Sequence, residues 1–362
     1  MTVKFNISST PGYGTYLDDA DGMPYGKEEA ATSAWQEFFG YKPCLFKNGQ
    51  VVGYLNPNDY TKFEDGTSAD ITSGNAGDVM VEFPRRGIKI SKSGSTVTVS
   101  MTKDPDNSEF TYYAHTSGST RKDYFYVGVY LCSKNYSGNM MSLSNKEVYH
   151  GNGTKHLNYS SMASYKGSRY CMFSFYQFVF IQCMYLLQYK GHLDSQAVHG
   201  YGNSNGCEDT GITNDKGLMY GSSSGGRIKI FGIEDLWGNG RCFIAGYYKA
   251  ANGNVFTYTP PSRFLDSRMN HGYFRDVSKT YITDVNASNE LGFTPISAGS
   301  GGGPSKYFCD VGRIESSTSD GYMNVAAIGG TYDGTGMGIF YFSAVYAENS
   351  WDNYTTSRLM YL

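Results

Sequence analysis

Apolar and polar positions along the chain change their spacing several times, and each change predicts an element. Lys27–Phe39 (KEEAATSAWQEFF) has apolar residues at helical spacing with acidic residues in its first turn, so it predicts a helix that Gly40 stops. Cys44–Phe46 and Val51–Leu55 flank Asn48-Gly49 and read as a hairpin. Val79–Phe83, Ile88–Ser91 and Thr96–Ser100 read as further strands, the last two joined at Ser93-Gly94-Ser95. Tyr124–Leu131 is apolar at nearly every position, as a central strand should be. Two helices are predicted next, one at about Ser160–Tyr165 and one at about Phe173–Tyr189. The second is apolar most of the way round and is expected to be buried on several sides.

After Gly191 the chain is rich in Gly, Ser and Asn to about Gly226, and strand signals return at Arg227–Phe231 and Arg241–Tyr248. Asn252–Pro304 reads mostly as loop with short strands, and Tyr322–Ile328, Gly338–Ser343 and Ser357–Leu362 read as the closing strands. The order is β, then two helices, then β with long loops, which is an α+β fold class. It divides the chain into an attachment or oligomerisation region at 1–76, a β-rich region at 77–135 and a domain at 136–362. No tandem repeat is visible, and the runs Ser222–Gly226 and Gly299–Gly303 read as loops.

Composition narrows the functional classes. The 362 residues include 30 Lys+Arg and 33 Asp+Glu, a net charge of only -3, and no basic run, so the electrostatic footprint for nucleic acid is missing. Tyr 33 and Gly 45 against Pro 10 suit a β-rich protein whose loops carry aromatic side chains. Cys44, Cys132, Cys171, Cys183, Cys207, Cys242 and Cys309 form no CxxC pair, and an odd, scattered set reads as free thiols made in a reducing cytoplasm. The first ten residues lack an apolar core for a secretory signal. Met172–Leu187, the most apolar window, is too short and too interrupted by Gln177 and Gln182 to insert in a membrane. A soluble protein without its own export signal is expected.

Catalytic chemistry finds little support. Glu234-Asp235 could work as an acid/base pair or hold Ca²⁺. Beside Trp237-Gly238-Asn239 they read instead as polar groups that tie loop backbone together, with Trp237 in the core. His150, His156, His192, His199 and His271 share no metal spacing with each other or with Cys207, so no metal and no cofactor is expected. There is no nucleophile elbow, P-loop or dinucleotide fingerprint.

The segment from Gly329 to Leu362 carries the strongest functional signal. Tyr332, Asp333, Tyr341, Ser343, Tyr346, Asn349, Asp352, Asn353 and Tyr354 alternate with small and apolar residues. Tyr gives wide contact area at low rotamer entropy, and Asn, Ser and Gly give adaptable hydrogen bonds, which is the composition of a binding surface. Ile339, Phe340, Phe342, Val345, Trp351, Leu359 and Met360 exclude a disordered tail. A period of two over Ile339–Ser343 would send Ile339, Tyr341 and Ser343 to one face. Trp351 reads as either a scaffold anchor or a contact hot spot.

Five blocks carry a family resemblance, in order. They are Gly77–Pro84 (GDVMVEFP), Tyr124–Tyr130 (YFYVGVY), Gln182–Gly202 (QCMYLLQY through DSQAVHGYG), Gly232–Asn239 (GIEDLWGN), and the closing set of Gly329–Tyr332 (GGTY), Gly338–Phe340 (GIF) and Ser357–Leu359 (SRL). Together they resemble phage tail-fibre receptor-binding proteins with a C-type-lectin-like fold of the formylglycine-generating-enzyme type. That family includes retroelement-diversified variable proteins such as the major tropism determinant. The resemblance implies a C-type-lectin-like domain with two helices and long loops, assembled as a homotrimer on a virion tail beside other tail or baseplate proteins. It implies that Tyr332, Asp333, Tyr341, Ser343, Tyr346, Asn349, Trp351, Asp352, Asn353 and Tyr354 meet a host cell-surface protein or glycan. Glu234, Trp237, Asn239, Gly329, Gly330 and Arg358 would then be scaffold. Substituting only the adenines of Asn codons yields Tyr, Ser, Asp and Thr, which suits a diversified surface.

Two other readings stand beside this one. A structural head or tail decoration would carry the same strands without a receptor. A formylglycine-type oxidase or surface hydrolase would need reactive thiols or a paired carboxylate, and no cysteine follows Cys309. The reading taken is a non-enzymatic adhesin, made in the host cytoplasm and carried on the virion.

Overall fold

Alternating residues in the first hundred or so positions build one antiparallel sheet and contribute four strands to a second. The computed structural model describes residues 1–8, 10–151, 153–222, 226–250, 253–259, 267–269, 280–299, 303, 307–314, 323–330 and 336–362. In the first sheet, strand Thr2–Asn6 lies between Thr15–Leu17 and Thr96–Thr102, and Gly87–Ser93 closes the far edge. Its inward positions Val3, Phe5, Ile88, Ile90, Val97 and Val99 are buried while their neighbours face out, which is the period of two that the sequence carries.

The second sheet has seven strands in the order Tyr170–Met172, Leu359–Tyr361, Tyr124–Gly128, Asp78–Pro84, Lys42–Lys47, Gln50–Asn56 and Asp59–Phe63. Lys42–Lys47 and Gln50–Asn56 form the expected hairpin. Asn48 and Gly49 sit at φ 52 and 82, the left-handed pair that a tight primed turn requires. Tyr124–Gly128 is central, with Asp78–Pro84 on one side and the C-terminal strand on the other. The third sheet holds, among the described residues, Arg241–Lys249, Asn324–Ile328, Phe342–Ala347 and Val311–Ile314 as successive neighbours, with Val255–Thr257 beyond the first and Thr280–Val285 beyond the last.

Pairing crosses the segment boundaries expected from the sequence. Thr2–Asn6 pairs with Thr96–Thr102, Lys42–Lys47 with Asp78–Pro84, and Tyr124–Gly128 with Leu359–Tyr361. Residues from 1–76, 77–135 and 136–362 also share one apolar core.

Among the described residues four α-helices, α1 (Glu29–Phe39), α2 (His156–Ser164), α3 (Phe175–Gln188) and α4 (Ser195–His199), complete an α+β arrangement. Helix α1 ends where Gly40 takes φ 79, and it buries Trp35, Phe38 and Phe39. Helix α3 is buried at every position. It packs against Thr96–Thr102 and Thr2–Asn6, against Arg241–Lys249 and against α1, so no face is left for water. This explains its apolar circumference. Its glutamines need partners there, and each reaches a distant backbone carbonyl: Gln177 that of Ala114, Gln182 that of Ile339 at 2.9 Å, and Gln188 that of Gly26 at 2.9 Å. Among the described residues no helix is long and apolar enough to cross a membrane.

The second sheet and the 233–235 segment meet at Arg358. Its side chain is buried, and its Nη1 donates to the carbonyls of Gly128 (2.9 Å) and Val129 (2.6 Å). Its Nη2 donates to the carbonyls of Glu234 (2.7 Å) and Asp235 (2.9 Å). One guanidinium thus joins the end of the central strand, the 233–235 segment and the C-terminal strand that it precedes. Burial lowers its pKa, while the Asp235 and Glu234 carboxylates nearby act the other way.

Replacing Arg358 should test this junction. Arg358→Met removes the guanidinium donor from the buried carbonyls of Gly128, Glu234 and Asp235, while the Val129 carbonyl keeps the Glu234 amide at 2.9 Å, and is expected to cost about 3 kcal/mol or more. Arg358→Lys should restore only part of that, because an ammonium cannot present the planar fork that spans both carbonyl pairs. Denaturant unfolding checks both. A loss under about 1 kcal/mol in either variant would refute the junction.

Candidate functional site

The C-terminal segment separates into an interior plug and an outer loop. Gly336–Tyr341 forms the plug, in which Ile339, Phe340 and Tyr341 are buried. Its backbone is gripped by side chains of α4 and of Asp310. Gly336 N–H donates to Gln196 Oε1 (2.9 Å), Ile339 N–H to Ser195 Oγ (3.0 Å) and Phe340 N–H to Asp310 Oδ2 (2.8 Å). Gln196 Nε2 also donates to Asp310 Oδ1 at 2.7 Å. A Cβ at Gly338 would lie 2.2 Å from Ser195 Oγ and 2.6 Å from Asp310, so only glycine fits this crossing.

The alternation expected over Ile339–Ser343 does not occur. The chain turns at Gly338–Tyr341, where the Tyr341 amide bonds the Gly338 carbonyl at 3.1 Å, and the strand starts at Phe342. That strand runs between Asn324–Ile328 and Val311–Ile314, and Ser343 is fully buried in it. Tyr341 and Ser343, expected on the contact surface, therefore lie inside the protein. Tyr332 and Asp333 fall outside the described residues, as does His271.

The outer loop follows the strand, from Glu348 to Tyr354, and is tied down at its base. Asp352 is the hub. Its Oδ1 accepts from the Tyr354 amide (2.9 Å) and the Thr355 hydroxyl. Its Oδ2 accepts from the Tyr346 hydroxyl (2.7 Å) and from the Arg241 guanidinium. Burial alone would raise the Asp352 carboxyl, but Arg241 and these hydrogen bonds outweigh it and hold the group below the usual carboxylate range. Further bonds fix the flanks: Arg241 N–H to the Tyr354 carbonyl (2.9 Å), Glu348 N–H to the Met323 carbonyl (3.0 Å), and a 2.6 Å contact between His150 Nδ1 and the Asn353 carbonyl. Tyr346 rests edge-on against Phe243, with ring centroids 5.7 Å apart.

At the tip of this loop Trp351 is 47% exposed. Asn353 is exposed and Asn349 is half-buried. Tyr346, Asp352 and Tyr354 are half-buried, with Tyr346 and Asp352 committed to the network just described. Of the ten residues expected to meet a partner, the structure gathers these six around one loop.

The residues expected to form scaffold surround a second network. Glu234 Oε1 accepts from the Gly211 amide (2.7 Å), and Oε2 accepts from the Thr213 amide (2.8 Å) and hydroxyl (2.7 Å). Arg227 is buried between Glu234 (2.9 Å) and Asp235 (2.5 Å). Asn239 donates to Asp235 Oδ2 (3.0 Å) and to the Glu208 carbonyl (3.0 Å) while accepting from the Glu208 amide (2.7 Å). Trp237 is buried and donates to the Gly200 carbonyl at 2.9 Å. The Gly329 carbonyl accepts from the Gly238 amide at 2.8 Å, and Gly330 follows at φ 48, so the segment leading to the plug is anchored on this network. Burial pushes Asp235 up to about 6, against the lowering effect of Arg227.

The remaining titratable groups are dispersed. His156 and His199 are buried, which pushes them down to about 4 and about 3, and His199 Nε2 lies 2.6 Å from the Tyr189 hydroxyl. Burial pushes the thiols of Cys171, Cys207 and Cys242 up to about 12. Among the described residues no group of three or more His, Cys, Asp or Glu side chains is placed to hold a metal ion.

Sequence reasoning did not single out Arg227, Arg241 or Asp310. Arg241 had a visible signal: a cation directly before the apolar run CFIAGYY must find a partner. Asp310 gave none, because its partners lie far away in sequence, at Gln196 and Phe340.

No family model matches the chain, and no curated protein matches it. Among solved structures there is a distant likeness to the "Major Tropism Determinant U1 Variant", at 10% identity and a TM-score of 0.33, covering 89% of this chain and 71% of that one. At that distance it carries no argument about function.

The plug makes a pH-dependent prediction through Asp310. Burial pushes this carboxyl up to about 8, against the Phe340 amide and the Gln196 side chain. A raised folded-state pKa means that its stabilising effect is complete below the unfolded value of 3.8 and fades as the pH rises through about 8. Stability measured against pH should therefore fall more steeply between these limits in the native protein than in Asp310→Asn, by up to about 1.4 kcal/mol per unit. Identical slopes would refute it.

Proposed function

We propose that this protein is a non-enzymatic receptor-binding protein whose Glu348–Tyr354 loop meets a host cell-surface protein or glycan. The observation that carries the reading is the exposed Trp351 held on a loop whose base is fixed by Asp352, Arg241 and Tyr346. An indole offers a large contact area for two rotatable bonds, and it is the side chain most enriched at interface hot spots. Asn349 and Asn353 beside it supply adaptable donors and acceptors, and the pinned loop base lowers the entropy lost on binding.

The wider reading follows from the sequence blocks described above. The domain is read as C-type-lectin-like, the assembly as a homotrimer, and the site of action as the tail of a phage virion beside other tail or baseplate proteins. Several copies on one particle would multiply individually weak contacts. The surface would remain open to retroelement diversification at its exposed positions.

Truncating the indole tests the reading. Trp351→Ala should weaken binding to host cells by roughly 30-fold, the effect of removing a hot spot worth about 2 kcal/mol. The melting temperature should hardly change, because a half-exposed side chain contributes little to the core. Native-level adsorption by Trp351→Ala and by Asn349→Ala/Asn353→Ala would sink it.

A further inference from the structure

Away from the C-terminal loop, α1 and the 215–220 segment enclose a polar cleft of about 420 Å³. Its walls come from three separated parts of the chain: Lys27–Gln36, the Pro57-Asn58 turn, and Asp215–Tyr220. Two other depressions of similar volume, at Val52–Thr67 and at Lys4–Leu17, are each walled by adjacent strands of a single sheet. The first instead brings three segments that do not share a sheet together around a space within the size range of ligand sites.

The cleft is built from fixed parts. Lys27 Nζ donates to the carbonyls of Val198 (2.9 Å) and Gly221 (3.0 Å), which ties the start of α1 to the far wall. Tyr220 exchanges two backbone hydrogen bonds with Lys229 (2.8 and 2.9 Å), and the Leu218 carbonyl accepts from Gly232 N–H at 2.8 Å. On the third wall, the Tyr60 amide donates to the Asn214 carbonyl at 3.0 Å, joining the Asn58 turn to the same segment. A site made this way is organised before any ligand arrives.

Its chemistry selects a ligand class. Glu29 and Asp215 line the cleft together with Lys27 and Lys216, so its formal charges cancel. Asp215 and Lys216 already pair at 3.1 Å. A phosphate or a divalent cation would meet as much repulsion as attraction. Lys27 has two of its three donors engaged, leaving one. Asn58 adds an uncharged donor and acceptor, and Gln36 adds its amide oxygen and the amide hydrogen not given to the Tyr41 carbonyl (3.4 Å), whereas the Thr32 and Ser33 hydroxyls already donate to the Lys27 carbonyl (3.1 Å) and to Glu29 (3.4 Å). One aromatic ring, Tyr220, is 40% exposed on the rim beside Met219. A drug-like apolar molecule would find too little apolar wall, whereas a sugar ring offers both a C–H face for the aromatic and a girdle of hydroxyls for planar amides and carboxylates.

The geometry points to a neutral-saccharide site in this cleft, with Tyr220 as its stacking platform and Gln36, Asn58, Glu29 and Asp215 as its hydroxyl partners. It is independent of the Trp351 loop and stands or falls separately from the receptor reading.

Saturation-transfer NMR on the full chain, with neutral trisaccharides built on glucose, galactose, mannose and N-acetylglucosamine, tests it. At least one sugar should receive saturation, with an affinity that does not change as the salt is raised. Tyr220→Ala and Asn58→Ala should each lower that affinity by about tenfold, the scale of one lost stacking or hydrogen-bond partner. Asn58 lies in an exposed turn, so its variant still reads out if Tyr220→Ala disturbs its loop. No transfer to any of the four sugars, undiminished binding in folded Asn58→Ala, or tighter binding of a sulfated sugar than of its neutral counterpart would each overturn the site.

Discussion

A single buried cation organises the junction of this fold. The Arg358 guanidinium sits among the carbonyls of Gly128, Val129, Glu234 and Asp235 and gives each a donor, in the case of Val129 beside the Glu234 amide. Leaving such acceptors dry costs far more than a hydrogen bond returns in water, so the geometry is strongly determined once the guanidinium is inside. The charge is balanced locally: Arg227 and Arg358 stand against Glu234 and Asp235. A buried arrangement of this kind contributes specificity of packing more than net stability. Its consequence is positional, because Leu359–Tyr361 can pair with both Tyr124–Gly128 and Tyr170–Met172 only where Arg358 reaches its carbonyls.

From that fixed end the preceding residues are held at successive points. Thr355-Thr356 pairs in parallel with the start of Arg241–Lys249, and Phe342–Ala347 is locked between two strands. Between these anchors only Glu348–Tyr354 leaves the sheet, and Asp352 closes it at the base by bridging Tyr346, Thr355 and Arg241. The loop is short and doubly anchored, so its tip position is set by the sheet rather than by its own sequence.

Much of the scaffold was legible in the chain. The Asn48-Gly49 turn, the strands around Val79–Thr102 and the buried α3 all follow from periodicity and turn chemistry, because each depends on neighbours in sequence. The C-terminal site was legible only in part. A run such as Ile339–Ser343 has the alternation of a strand, yet the grip of Ser195, Gln196 and Asp310 on the backbone of 336–340 bends it into a plug. Those partners lie up to 144 residues away, and no local pattern encodes them. Asp352 and Tyr346 looked like contact residues for the same reason: their polarity was visible and their commitment to Arg241 was not.

This division bears on what such a surface can tolerate. A position can change freely only if its side chain has no structural duty, however polar or aromatic it is. Tyr341 and Ser343 fill the interior, so replacing them alters packing before it alters any contact. Asp352 neutralises a largely buried guanidinium, and its loss would leave Arg241 charged and unpaired. Trp351 and Asn353 project from a backbone that other residues hold, with the Asn353 carbonyl rather than its side chain engaged by His150. The network at the loop base and the openness at its tip are therefore two aspects of one arrangement. Because Asp352 carries the folding constraint, the side chains of Trp351 and Asn353 can change without disturbing the base of the loop.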